Sequence, residues 1–212
     1  MNIFIAGANG GIGRQVVQQA LDGGHRVTAL VRDPSKLSIT HPSLLIVRGD
    51  VLQPSSFEAA LKGQDVVVSA LGLKKSGGET VTLYSRGCAN LLLAMGEHKI
   101  TRFFCISASA LDVNPMFPRY LKFVTKYILQ RLLKQMYADL RRMEIQVKGS
   151  KCDWTIIRPP RLTNGPMTGH YRSAVGTFLK NCLKISRADV AHFILHHTQD
   201  AATFRETVEI GY

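Results

Sequence analysis

Gly7, Gly10 and Gly13 fall at three-residue spacing directly after the apolar run Ile3 to Ala6 and directly before a segment in which Ile12, Val16 and Leu21 recur at helical spacing. Glycines permit a tight bend and let the backbone approach a ligand closely, while a helix N-terminus offers oriented N–H groups and a favourable dipole to an anion. The chemistry this turn suits is the cradling of a dinucleotide pyrophosphate by Gly7, Asn9, Gly10, Gly11, Ile12 and Gly13. The strand-turn-helix setting carries more weight than a glycine triplet alone.

Cofactor choice in such sites is read at the end of the second strand, where an acidic residue binds the adenosine ribose and a basic one accommodates a 2′-phosphate. Here Ala29-Leu30-Val31 runs into Arg32, with Lys36 following, which favours NADP(H) over NAD(H). Asp33 offers the opposite reading if the loop turns it towards the ribose, and Arg32 to Lys36 also reads as a plain charged surface turn. Asp50 and Val51, after the third strand, are placed to frame the adenine, and Ala70, Leu71 and Gly72, after the fourth, to border the ribose. Ser107, just past the fifth strand, is the candidate catalytic hydroxyl, set to bond the nicotinamide amide or an acceptor heteroatom; its competing reading is a strand-end hydroxyl capping backbone groups. His192 and His196 share a helix face but have no HExxH arrangement, so no metal site is expected.

Alternating elements must position these residues. Strands are expected at Ile3 to Ala6, Arg26 to Val31, Leu44 to Val47, Val66 to Ala70, Phe103 to Ile106, Thr155 to Arg158 and Thr207 to Ile210. Helices are expected at Ile12 to Leu21, near Phe57 to Leu61, at Thr80 to His98, along Leu121 to Val147 and at Arg187 to His197. In the long stretch Leu121, Val124, Ile128, Leu132, Met136, Leu140, Met143 and Val147 form one apolar stripe, read as one helix or two. The alternation predicts an α/β fold, a doubly wound, mostly parallel sheet in a three-layer α/β/α sandwich, forming a single domain over residues 1–212. Residues 108–120 and 159–184, the latter rich in proline and glycine with little periodicity, read as substrate-side loops.

The bulk properties bound the rest. An apolar content of 45% suits one globular core, and no apolar run approaches the roughly 18 residues of a membrane span. The N-terminal residues lack the basic leader of a secretory signal, and the cysteines, Cys88, Cys105, Cys152 and Cys182, are too scattered for a disulfide frame or zinc site. A cytoplasmic location and no membrane partner are expected. The net charge of +12 is able to attract nucleic acid, anionic lipid or phosphorylated small molecules. Nine basic residues lie between Arg119 and Lys151 against only Asp139 and Glu144; such a stripe most often forms a solvated helix face, so nucleic acid is not expected as a partner.

In Gly7-Ala8-Asn9-Gly10-Gly11-Ile12-Gly13, Leu30-Val31-Arg32-Asp33, Gly49-Asp50-Val51-Leu52, Gly63-Gln64-Asp65, Arg158-Pro159-Pro160, Pro166-Met167-Thr168-Gly169 and Ile185 to Ala191, the chain resembles the atypical short-chain dehydrogenase/reductases. Within that group it is similar to the NmrA-like proteins and to the biliverdin-IXβ reductase and flavin reductase type. The resemblance implies an NADP-binding Rossmann fold, with Arg32 and Lys36 near the 2′-phosphate, Ser107 near the nicotinamide and Pro159 beside its face. The YxxxK pair of the wider superfamily is absent, since Tyr84, Tyr120, Tyr127, Tyr137, Tyr171 and Tyr212 all lack a lysine four residues on. Reductases of the closer type also lack that pair and hold a planar acceptor against the nicotinamide. The implied activity is NAD(P)H-dependent hydride transfer to a small-molecule acceptor such as a flavin, with Ser109 and Arg161 on the acceptor side. The alternative is a redox-sensing regulator that binds NADP without turnover and signals to a protein partner. A sugar-nucleotide epimerase is disfavoured because it generally needs the missing tyrosine acid.

Overall fold

Strand β1 (Asn2–Ala6) is apolar on both faces, as are β4 (Val66–Ser69) and β5 (Arg102–Ile106), and all three are almost wholly buried. Strands with no polar face belong inside a sheet covered on both sides. In the computed structural model, which describes residues 1–73 and 81–212, they do. Between and beyond them in chain order lie helix α1 (Gly11–Asp22), β2 (Arg26–Val31), β3 (Leu44–Arg48), α2 (Leu83–Glu97), α3 (Arg119–Phe123), α4 (Gln130–Leu132), α5 (Lys134–Lys148), β6 (Asp153–Arg158), β7 (Arg161–Thr163), β8 (Arg172–Val175), β9 (Lys184–Ser186), α6 (Arg187–His196) and β10 (Glu206–Gly211).

The main sheet has eight strands in the order β3-β2-β1-β4-β5-β6-β10-β8, parallel throughout except where β8 pairs antiparallel with β10 at the edge. Alternate side chains divide the core. Ile3 and Ile5 face α1 and α6, meeting Val16, Val190 and Ile194, whereas Phe4 and Phe103 face α2 and α5, meeting Leu91, Met95 and Met143. This is a doubly wound, Rossmann-like three-layer α/β/α arrangement. Its strand order reverses between β1 and β4, the switch point outside which ligands of open α/β sheets bind. No helix among the described residues is long and apolar enough to cross a membrane.

The seven expected strands all form, with ends displaced by no more than two residues. Three further expectations need correction. Residues 159–184 are not simply loop, for they contain β7, β8 and the first residue of β9; strands of three or four residues are too short to show a period of two. The helix expected from Thr80 begins, among the described residues, at Leu83, and Thr80 itself lies outside them. The stripe from Leu121 to Val147 does not keep one face. Val124–Leu129 is wound as a π-helix and Leu133, with φ −106° and ψ 23°, breaks the run before α5. Both features shift the phase of the upstream turns, so Leu140, Met143 and Val147 are buried while Ile128 and Leu132 face outwards.

Candidate functional site

A cleft of about 810 Å³ opens at the carboxyl ends of the parallel strands and receives residues from the loops after β1 to β6. At its floor the chain bends through Gly7, whose φ of +81° suits glycine and where a Cβ would lie 2.5 Å from the Ala70 carbonyl oxygen. Gly13 packs closer still: a Cβ there would stand 2.2 Å from the Gly7 carbonyl oxygen, so the first turn of α1 rests directly on the bend. The N-cap of α1 is Gly10, with no side chain to bond the first amides and no acidic residue in the first turn. Its positive end therefore stays open to an anion from the cleft. Asn9 donates from Nδ2 to the Asp33 carbonyl at 3.0 Å, while its buried Oδ1 has no partner among the described residues.

At the far side of the same floor, Arg32 lines the cleft, exposed and without a side-chain partner among the described residues. Asp33 is turned into its own loop: its carboxylate accepts from Ser35 Oγ at 2.6 Å and pairs with Lys36 at 2.6 Å. The Lys36 ammonium and then the Ser35 hydroxyl hold the Asp33 carboxyl at about 2. Asp50 is likewise braced, donating its amide to Ser56 Oγ and accepting from the Leu52 amide. Gly49, Val51, Ala70, Leu71 and Gly72 complete this wall with largely apolar or backbone surface.

The other end of the cleft is made of side chains from distant segments. Ser107 reaches it just beyond β5, but its hydroxyl donates to Glu144 Oε1 at 2.6 Å. Glu144, buried on α5, also accepts from Arg158 Nε at 2.8 Å and Nη2 at 2.6 Å, and Arg158 Nη1 pairs with Asp112 at 2.7 Å. Burial works against the Arg158 charge, yet Glu144 and Asp112 outweigh it and hold the guanidinium above its usual pKa. Met136 and Leu140, one turn apart on α5, present apolar surface to the cleft. Tyr84 lines the same wall; its hydroxyl accepts from the Leu73 amide at 3.3 Å, and burial raises its pKa. Pro159, Pro160 and Leu162 close the rim.

Of the residues singled out from sequence, Gly7, Asn9, Gly10, Gly11, Ile12, Arg32, Lys36, Asp50, Val51, Ala70, Leu71, Gly72, Ser107 and Pro159 share this one cleft, and Gly13 lies directly beneath it. Ser109 and Arg161 do not line it: Ser109 is half-buried and donates its amide to the Pro159 carbonyl, and Arg161 is exposed on β7. Arg187 is the main residue that sequence reasoning missed. Its side chain crosses Gly11, where an added Cβ would lie 2.5 Å from Arg187 Cδ, and it donates to Asn164 at 2.7 Å. The signal was present, a cation opening α6, but nothing local shows that α6 meets α1. Beside it, Ser186 Oγ caps α6 by accepting from the Asp189 amide, and Asp189 accepts from the Thr168 and Gly169 amides. His192 and His196 stack at 3.8 Å, and no group of three His, Cys, Asp or Glu among the described residues is able to hold a metal.

A family model described as NAD(P)H-binding matches residues 7–201. The chain belongs to this NAD(P)H-binding family. An uncharacterised chloroplastic protein of Arabidopsis thaliana is 32% identical over 180 residues, covering 79% of this chain and 61% of the plant protein. An uncharacterised sugar epimerase of Bacillus subtilis, named YhfK, is 29% identical over 204 residues, covering 92% of this chain and 86% of its own. The crystal structure of a short-chain dehydrogenase/reductase of Veillonella parvula in complex with NADP superposes with a TM-score of 0.79 at 21% identity, over all of this chain and 94% of that one.

The site fits what this NAD(P)H-binding family takes. The open α1 terminus and the glycine bend would hold the pyrophosphate, with Arg187 as a neighbouring cation, and the unpartnered Asn9 Oδ1 supplies an acceptor at the cleft floor.

Proposed function

We propose that this chain is a reductase that prefers NADP(H) and delivers hydride to a planar acceptor such as a flavin. The observation that carries this reading is the face α5 turns to the cleft: Met136 and Leu140, at i and i+4, present apolar side chains there and offer no acid with a basic partner to protonate a carbonyl substrate. An acceptor that takes hydride into a conjugated ring and its proton from water requires neither.

The bound dinucleotide supplies the hydride, and the chain supplies position and exclusion of water. Arg32 would grip the 2′-phosphate, because Asp33 is already engaged by Lys36 and Ser35 and leaves the ribose edge to the guanidinium. Ser107, its proton donated to Glu144, offers oxygen lone pairs that suit an amide N–H, so it orients rather than protonates. Pro160 and Leu162 would offer the acceptor apolar side chains, with Pro159 beside the nicotinamide face.

The test is NADPH oxidation followed by absorbance with FMN, FAD, riboflavin and biliverdin offered in turn, beside a direct NADPH titration. Turnover with any of these supports the reductase. Tight binding without turnover favours the second reading, an NmrA-like redox-sensing regulator acting on a protein partner, to which the same engaged Ser107 hydroxyl and apolar wall also point.

A further inference from the structure

The helical stretch before α5 exposes what a folded domain usually buries. Tyr120, Phe123 and Tyr127 are 67%, 58% and 53% exposed, and Ile128 and Leu132 are 50% and 76% exposed. The first three fall at i, i+3 and i+7 and form the crest of a ridge, with Phe123 and Tyr127 in contact at 4.9 Å between ring centroids. Arg119, Lys122, Lys126, Arg131 and Lys134 flank the crest, and no aspartate or glutamate occurs between Asp112 and Asp139. None of these five cations has an ion-pair partner among the described residues, whereas Arg141, Arg142 and Lys148, further along the same basic stretch, each pair with a carboxylate. Against the crest lies a depression of about 520 Å³ lined by Val113, Arg119, Lys122, Phe123, Lys126 and Tyr127. The ridge is anchored from beneath, with Thr125 buried and Gln130 donating to the Ala110 and Leu111 carbonyls.

We propose that this ridge docks the protein onto an anionic lipid bilayer, with headgroup phosphates in the depression and the aromatic crest at headgroup level. Charge complementarity selects an anionic surface. The aliphatic side chains Ile128 and Leu132 select a bilayer over nucleic acid, since they offer neither stacking nor hydrogen bonding to a polyanion but gain from entering the acyl boundary. Aromatic rings and long lysine stems are the side chains that settle at that interface, ring inserted and ammonium turned back to the phosphates. This departs from the expectation of no membrane partner, which rested on the absence of a spanning run; lying on a bilayer requires none.

The experiment is sedimentation of the full chain with phosphatidylcholine vesicles and with vesicles containing phosphatidylglycerol, at low and high salt. Binding to the anionic vesicles alone, weakened by salt, is expected. Phe123→Ser with Tyr127→Ser is expected to reduce partitioning on the order of ten-fold, as is Lys122→Gln with Lys126→Gln. Thermal unfolding and NADPH titration check that each variant remains folded, and single substitutions replace any pair that does not. Failure to sediment with anionic vesicles overturns the proposal. So does unchanged partitioning of the folded aromatic variants, or polyuridylate RNA that binds the wild type as strongly as the vesicles do.

Discussion

The two ends of the cleft are built by opposite means. The dinucleotide end is mostly backbone: a glycine bend, an uncapped helix terminus and the loop around Arg32 come from elements adjacent in sequence, with Val51, Ala70, Leu71 and Gly72 completing the wall and Arg187 crossing from α6. At the opposite end Ser107 lines the cleft and is held from behind by Glu144, Arg158 and Asp112, a largely buried ionic network drawn from three segments, the β5–α3 connection, α5 and β6. The first tolerates change wherever a Cβ has room. The second depends on each partner, because a buried charge left alone costs more than the pair contributes.

That contrast sets an order of effects. Glu144→Ala removes the bidentate partner of Arg158 and frees the Ser107 hydroxyl, so it is expected to destabilise the fold by about 3 to 5 kcal/mol in urea unfolding. Dinucleotide affinity of the folded fraction should change far less; a parallel collapse would mean that the two ends are not separable. Gly13→Ala breaks the opposite end, since its Cβ would press 2.2 Å from the Gly7 carbonyl oxygen and displace α1 from the bend. Loss of NADPH binding in titration is expected, with a destabilisation of about 2 kcal/mol. Arg32→Ala leaves the bend intact and should weaken NADPH by about 2 kcal/mol, roughly 30-fold, while NADH binding barely moves. Equal losses for the two cofactors would remove Arg32 from the 2′-phosphate.

The same contrast explains what was legible beforehand. The glycine bend and the central strands declare themselves because residue type alone states the requirement: Gly7 needs a positive φ, and β1, β4 and β5 need apolar side chains on both faces. Glu144 was hidden, since helical periodicity reads apolar positions and treats a carboxylate as a solvated one. Ser107 is singled out by its place after β5 and does line the cleft, but its engagement by Glu144 depends on how α5 packs against β5 and β6, which no local pattern encodes. The π-helical turn at Val124–Leu129 has no marker residue, and it decides which half of the apolar stripe is buried. Ser109 and Arg161, expected on the acceptor side, both lie outside the cleft lining.

The mildest expected effect lies behind the Ser107 end, at Glu209 on β10, whose register partner on β6 is Arg158. One Glu209 oxygen accepts from the Leu179 amide at 2.8 Å, and the other is buried without a partner among the described residues. Burial raises the carboxyl pKa, and the Leu179 amide and the Arg158 charge only partly oppose it. The folded chain thus holds this proton more tightly than the unfolded chain does. Its contribution to stability is greatest below the ordinary glutamate value of 4.5 and is lost as pH rises through the higher folded value. Glu209→Gln keeps an acceptor for Leu179 and removes the charge, so at neutral pH the variant should be the more stable by up to about 1 kcal/mol. The advantage should vanish in acid. Thermal unfolding of both proteins across that range measures it, and a variant less stable at neutral pH would mean that Arg158 uses the Glu209 charge, extending the ionic network one strand further than the hydrogen bonds do.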